Sequence, residues 1–576
     1  MSKRTSLPII GVLVVSVLGA GLTRHWCVTQ RERLDASRGI GATTSTANLS
    51  KLNSFALGLL LGGLRGPLVM ALWTSSENQK SERNLDDFDT KVELIRMLQP
   101  EFDTVHLFQI WNKAYNISVQ VTNVPNKYTT ILDAVDYGFK VDTERPDNIN
   151  VLSAIGGLYF DKFGGAAEAG YFSPRLRDET LSPQDRVRVS FPVGDKAGVL
   201  RAARLAGAST YALVTREATS DSSQLSFTLP ASVATAFKKI YPDAQKLTYE
   251  DRPVLTADRR ASAGRRTQHD VLLDANFKLL PRYTQPLGGR AATGDGADGS
   301  EMPYLKEYEP FPLGVSPYAI GYNYYRRAEW LQTNREMRHA QLSDRVMSSR
   351  PALALRKWHE EDWRAARRSE IELAGRTAPR EDSQLEAVTQ DVLLDTALPT
   401  DTPLFAETIA RYERSTQVGR RAASAYAEHI KRFPEDELTY RSHIKNVLAQ
   451  TALVNADALY LHAVRATGAE RQRYVEAARA AYVDAANQFT RHIFRYFMED
   501  ADVEKVLPRD VLMLKRTDAD SENSKLRDDQ LAPALTRLRA IHQAGSNQLS
   551  SSEDFVEMDS NVQRCYARLR NLAVAK

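Results

Sequence analysis

Cysteine is almost absent: Cys27 and Cys565 are the only two in 576 residues and stand near opposite ends of the chain. This excludes a disulfide framework and a thiolate metal cage within one chain, and it leaves the redox compartment open. A dominant charge is also absent. Lys and Arg number 76 and Asp and Glu 72, a formal net charge of +4. No field of one sign therefore draws the chain onto nucleic acid, which is not expected as a partner. Neither a P-loop nor a G-x-S-x-G elbow occurs, which removes two local signatures of phosphate cradling and serine hydrolysis. Long hydrophobic runs are lacking but for one. At 43% hydrophobic and 26% charged residues, the composition is that of an ordinary globular chain. Its length exceeds what one compact core fills, so several domains or an extended repeat array are expected.

The exception is residues 7–22, LPIIGVLVVSVLGAGL, which carry no charge and follow Lys3 and Arg4. At 16 residues the run is shorter than the roughly 20 that span a bilayer. Gly19 and Gly21 offer small positions for cleavage, but Arg24 and Trp26 follow at once and suit the interface end of a retained helix. Residues 1–28 read as a signal-anchor, a single transmembrane helix in the cytoplasmic (inner) membrane, with the body facing away from the cytoplasm. Cys27 does not read as a lipidation site, because Arg24, His25 and Trp26 precede it where small residues are needed. A second apolar stretch, residues 55–73, contains Arg65 and Pro67 and four glycines. A central arginine costs about 2.5 to 3.5 kcal/mol on insertion scales, so this stretch reads as a buried first helix of the body.

Beyond a linker over 29–53, helical periodicity dominates. Val105, Phe108, Trp111 or Asn112, and Tyr115, then Tyr128, Ile131, Leu132, Val135 and Phe139, recur at three- and four-residue spacing, each set forming one apolar stripe. The polar connection 121–127 makes the two helices a pair, and such a pair needs stacked neighbours to cover its faces. After Pro146, with Asp147 and Asn148 as N-cap candidates, Leu152, Ile155, Gly156 and Tyr159 fall at W-x-x-L-G-x-x-Y spacing; Ala134 stands 12 residues before Pro146. Ile320, Gly321 and Tyr324 repeat the glycine–tyrosine element, and Ala422, Tyr426, Pro434 and Tyr440 repeat the proline-ended helix. These residues resemble tetratricopeptide (TPR) repeats, although Pro100 and Pro146 lie 46 residues apart rather than at the 34-residue period. The segments LGGLRGPLVMALW, VHLFQIWNKAYNIS and GVSPYAIGYNYYRRAEWLQ are also similar to a family of membrane-anchored bacterial proteins of planctomycete type. The resemblance to TPR proteins implies a mostly α fold of stacked helical hairpins, an α-solenoid.

The expected layout is a TPR-like helical region over 54–174, a loop-rich insertion over 175–305 with short helices or strands, and an aromatic-rich helical region over 306–376. A linker over 377–401, a second TPR-like region over 402–500 and a charged, partly ordered tail over 501–576 complete it. Residues 318–344 read as one long helix, with a second after Pro351 through Trp358, Trp363 and Ile371. Tyr474, Ala478, Tyr482, Ala485 or Ala486, Phe489, Ile493 and Phe497 draw one stripe over roughly six turns. A last helix is expected near 562–572.

Candidate chemistry is sparse. His359-Glu360-Glu361-Asp362-Trp363 begins like a zinc-protease helix but places Trp363 where the second histidine belongs, and it reads as a solvated helix face. Asp295, Asp298 and Glu301 lack the spacing of a calcium loop and read as a flexible acidic linker. His492 and His339 lie among arginines with no partner for nucleophilic catalysis. No metal, cofactor or catalytic residue is expected. The remaining cluster is Tyr322, Tyr324, Tyr325, Arg326, Arg327 and Trp330. A helix with one aromatic face packed and its arginines in solvent accounts for it. So does a groove lined by residue types enriched at binding hot spots, with Tyr322, Tyr325, Arg326, Arg327 and Trp330 as the partner-binding set. The expectation is a membrane-anchored scaffold for a protein or peptide partner in the cell envelope; the alternative is an envelope hydrolase with its site in 175–305.

Overall fold

The computed structural model describes residues 65–81, 103–145, 148–180, 186–214, 217–218, 224–250, 313–334, 342–379, 398–497 and 550–574, with isolated positions at 26, 91, 94, 95, 98 and 385. The anchor run 7–22, the segment holding Asp295, Asp298 and Glu301, and His339 lie outside them, as do the side chains of His492, Ile493 and Phe497. The described chain is mostly helical. Among the described residues, no helix is long and apolar enough to cross a membrane. The chain divides into two compact units, residues 1–155 and 156–576.

In the first unit, α1 (Arg65–Ser81) takes up the end of the glycine-rich apolar stretch. Its Val69 is buried with Ile95, Leu98 and Val105, and Trp73 packs beside Phe108. α2 (Asp103–Trp111) runs on into a π-helical stretch, Asn112–Ile117. α3 (Val124–Glu144) starts where the Asn123 side chain accepts from the Asn126 N–H, a cap for a helix whose early Pro125 needs no donor. The stripe Tyr128, Ile131, Leu132, Val135 and Phe139 is buried, as its spacing requires. α4 (Ile149–Gly157) is capped by Asn148, whose Oδ1 accepts from the backbone N–H groups of Asn150 and Val151 at 3.1 and 3.2 Å.

The second unit begins with the end of α4, its π-helical continuation Leu158–Gly164, and α5 (Ala169–Glu179). The described part of the expected loop-rich insertion is a small α/β sandwich. It runs β1 (Arg186–Pro192), α6 (Lys196–Leu205), α7 (Thr210–Val214), β2 (Glu217–Ala218), β3 (Gln224–Pro230), α8 (Ala231–Ile240) and β4 (Thr248–Glu250). The strands pair antiparallel in the order β2-β3-β1-β4, the split βαβ or ferredoxin-like topology. Val187, Val189 and Phe191 stand opposite Leu229, Phe227 and Leu225. This face packs on Val199 and Ala203 of α6 and Val233 and Phe237 of α8.

Among the described residues six further helices follow: α9 (Pro317–Asn334), α10 (Asp344–Leu373), α11 (Pro403–Arg432), α12 (Glu437–Arg465), α13 (Gly468–Phe497) and α14 (Ser550–Val574). Each packs on the next. α10 to α13 are 29 or 30 residues long, so one such helix nearly equals the length of a two-helix TPR motif. Trp363, Phe405, Ile409, Tyr412, Val454 and Leu461 fill the space between α10, α11 and α12. Ala478, Tyr482, Ala485 and Phe489 of the α13 stripe pack with Leu453 of α12 and with Val562, Cys565 and Leu569 of α14. The helix expected over 318–344 is described as far as Asn334, residues 342 and 343 are not helical, and a new helix opens at Asp344, where the Ser343 side chain accepts from the Val346 N–H. Pro351 lies inside α10, beyond its first turn, so its missing N–H removes one bond from the helix ladder.

The two glycines of the TPR-like echoes meet. A Cβ on Gly321 would lie 3.2 Å from the Gly156 carbonyl oxygen, and one on Gly156 would lie 3.0 Å from the Tyr325 ring. Glycine at both positions lets the segment around Gly156 and α9 cross backbone to backbone. Gly156→Leu is expected to lower stability by about 1 to 3 kcal/mol through overpacking, read as a fall in the thermal midpoint. An unchanged midpoint would contradict this crossing.

Candidate functional site

The solvated face expected at His359-Glu360-Glu361-Asp362-Trp363 is a buried one: His359, Glu360, Asp362 and Trp363 are all inaccessible. Cations from other segments make that tolerable, because a buried charge persists only when paired and hydrogen-bonded. Asp362 Oδ2 accepts from Arg414 Nε at 2.7 Å, and its Oδ1 from Arg414 Nη2 at 2.8 Å, Arg177 Nη2 at 3.3 Å and Arg411 Nη1 at 3.4 Å. Glu361 accepts from Ser173 and Ser316 hydroxyls, both at 2.5 Å, and pairs with Arg177 at 2.7 Å. Glu407 accepts from Arg411 at 2.9 Å and Arg204 at 2.8 Å, and Arg204 reaches Glu372 at 2.9 Å. In this way α5, α6, α10 and α11 are joined by charge.

Burial alone pushes the Asp362 carboxyl up, yet Arg414, Arg177 and Arg411 outweigh it and hold it at about 2. Glu407 is likewise penalised by burial and held at about 2 by Arg204 and Arg411. For His359 burial outweighs the opposing effects of the Ser415 carbonyl, Glu360 and Asp362. Burial pushes it down to about 4, and its Nδ1 lies 2.9 Å from the Ser415 carbonyl oxygen. A second buried centre ties α14 to the body. Arg564 donates to Asp457 at 3.0 Å and to Glu370 at 2.8 Å, Arg568 donates to Glu370 at 3.0 Å, and the Tyr482 hydroxyl donates to Asp457 at 2.7 Å. These groups are closed off from solvent, and their geometry positions helices. Among the described residues, no group of three or more His, Cys, Asp or Glu is placed to hold a metal ion.

Solvent reaches polar and aromatic groups together in a cleft of about 230 Å³ where α9, α10 and α11 meet, lined by Arg326, Glu329, Trp330, Glu428, His429 and Arg432 among others. Glu329 is buried and sits between two guanidinium groups, 2.7 Å from Arg326 and 3.6 Å from Arg432. Burial works against the Arg326 charge, but Glu329, Tyr322 and Glu428 together more than offset it and raise its pKa. At the rim, His429 Nε2 lies 3.0 Å from Asp436, which is also gripped by Arg345. The cleft carries two arginines and two glutamates, of which Arg326 and Glu329 are held together at 2.7 Å.

Comparison with protein-family models, with curated proteins and with solved structures found no match.

Of the five partner-binding candidates, Arg326 and Trp330 line the cleft. Tyr325 is buried against Phe160, with the Arg350 guanidinium over its ring, so it serves the helix crossing. Tyr322 and Arg327 are half-buried and outside the cleft lining. Glu329, Glu428, His429 and Arg432 are additions that the sequence reading missed. The three-residue spacing of Arg326 and Glu329 signals an ion pair on one helix, but nothing local announces that the end of α11 completes the wall.

Proposed function

We propose that the chain is a membrane-tethered helical scaffold, held by residues 1–28, that binds a protein or peptide partner of the cell envelope in the α9–α11 cleft without catalysis. The observation that carries the reading is the joint exposure of Arg326 and Trp330 in one concave site whose buried Glu329 fixes the arginine. Arginine and tryptophan are the residues most enriched at interface hot spots, and a pre-positioned side chain loses little freedom on binding. TPR-like stacking of helical hairpins is part of this proposal, supported by the sequential packing of α9 through α14 and by the glycine–tyrosine elements. The balanced charge of the cleft favours a peptide carrying both an apolar side chain and polar groups over a strongly charged one.

A photo-activatable amino acid at Thr333, which shares the cleft, is expected to capture a discrete partner in cells. Arg326→Ala and Trp330→Ala should each weaken that capture by about tenfold or more, the effect of losing a hot-spot residue. Capture that is unchanged in both variants would remove the cleft from the proposal.

A further inference from the structure

A second hollow, of about 240 Å³ and sharing no lining residue with the α9–α11 cleft, opens where α12 runs between α11 and α13. Leu448, Thr451, Ala452 and Asn455 of α12 line it at the three- and four-residue spacing of one helix face. Arg420 enters from α11, and Ala481, Asp484 and Gln488 enter from α13. α12 packs along both neighbours, so the cation and the carboxylate stand on separate helices. Loose packing does not account for the space. Gly419, beside Arg420, brings α11 close to α12 and α10: a Cβ there would meet the Thr451 hydroxyl and lie 2.8 Å from His359 Nδ1. Next to Ala481, the Tyr482 hydroxyl donates to Asp457 of α12 at 2.7 Å. The hollow exists because Ala452 and Ala481 end at Cβ while packing on the core shared by α12, α13 and α14.

Its polar groups have no partners of their own. Arg420 and Asp484 are exposed, and among the described residues Arg420 meets no anion and Asp484 no cation. Asp484 is nevertheless held in place, because Gln488 Nε2 donates to its Oδ2 at 2.8 Å, which leaves Oδ1 for another donor. The half-buried Asn455 side chain makes no hydrogen bond among the described residues, and Leu448 is 41% exposed. A guanidinium grips a carboxylate at two points, a carboxylate takes an ammonium, and Leu448, Ala452 and Ala481 supply apolar surface. The volume equals about eight times the liquid volume of one water, ~30 Å³, and falls short of the roughly 300 to 1,000 Å³ of drug-sized pockets, so the occupant is small. Packed helix axes lie about 8 to 10 Å apart, so a ligand must spread its charges to reach α11 and α13 together. An α-amino acid carries both on one carbon. We propose that the hollow binds a small linear zwitterion, an ω-amino acid, with its carboxylate on Arg420, its ammonium on Asp484 and its methylene chain over Leu448, Ala452 and Ala481. The Asn455 amide, donor and acceptor at once, adds a hydrogen bond. The site is independent of what the α9–α11 cleft binds.

Saturation-transfer NMR on the purified full chain tests this, with ε-aminocaproate as the probe and caproate, hexylamine and leucine as comparisons. A saturable signal from ε-aminocaproate is expected, with each comparison at least about fivefold weaker, the upper range for one exposed ion pair. Arg420→Gln and Asp484→Asn are surface substitutions, and the second keeps an acceptor for Gln488. Arg420→Gln should bind ε-aminocaproate no better than hexylamine, and Asp484→Asn no better than caproate. Parent protein that binds either singly charged analogue as tightly as the probe overturns the proposal, and so does equal binding of leucine. Affinity for the probe that is unmoved by either substitution, or the absence of any saturable signal, overturns it as well.

Discussion

Asp362→Ala is expected to destabilise the protein by roughly 3 to 5 kcal/mol, the cost of breaking a buried ion pair by deleting one partner. The substitution removes the one carboxylate that Arg177, Arg411 and Arg414 share. Three guanidinium groups would then face each other without the carboxylate they share, and none can shed its proton to relieve the strain. Urea denaturation followed by circular dichroism reads the loss, and a variant within about 1 kcal/mol of the parent would show that the network contributes little. The pH dependence has a definite sign. The folded state holds Asp362, Glu407 and Glu360 at about 2, against ordinary values of 3.8 and 4.5. For Glu360 burial is again the opposing effect, outweighed by Arg356, Lys357 and Arg364. Their stabilisation is fully present above the ordinary carboxylate range and is lost as pH falls toward 2. Acid unfolding is therefore expected between about pH 4.5 and 2, and it should come earlier in Asp362→Ala.

The second large effect concerns α14. Arg564→Leu leaves Asp457 with only the Tyr482 hydroxyl and Glu370 with only Arg568, both carboxylates remaining inaccessible. A loss of roughly 3 to 5 kcal/mol is expected again, together with enhanced proteolysis of α14. The discriminating variant is the double one. Arg564→Leu with Asp457→Leu removes both members of one of these pairs, and replacing a buried pair by apolar residues is often neutral or favourable. The double variant should thus be more stable than Arg564→Leu alone. If it is less stable by the sum of the two single losses, the pair is not an interacting unit.

Much of the helical body is legible in single residues. The stripe from Ala478 to Phe489 is buried as its spacing requires, and Asn148 caps the helix it precedes. Gly156 and Gly321 announce a close approach, although their likeness to one repeat motif does not reveal that they approach each other. Two features escape for physical reasons. RVRVSF and QLSFTL alternate with the period of two that marks strands, but six residues bounded by proline and charge give too short a sample, and register comes only from pairing. The charged run at 359–362 carries no local mark of burial, because its partners Arg177, Arg411 and Arg414 stand up to 185 residues away. Half of the candidate site shares that difficulty: Arg326 and Trp330 stand out as types, whereas Glu428, His429 and Arg432 enter the cleft only through the packing of α11.

The α14 clasp also sets a timetable for synthesis. Glu370 leaves the ribosome 194 residues before Arg564, and the helices made in between emerge with an unneutralised acid on a flank meant to be covered. A nascent chain in that interval offers sticky surface to holdase chaperones. A premature stop ahead of Arg564 would consequently yield material for the cell's proteases rather than a shorter working protein.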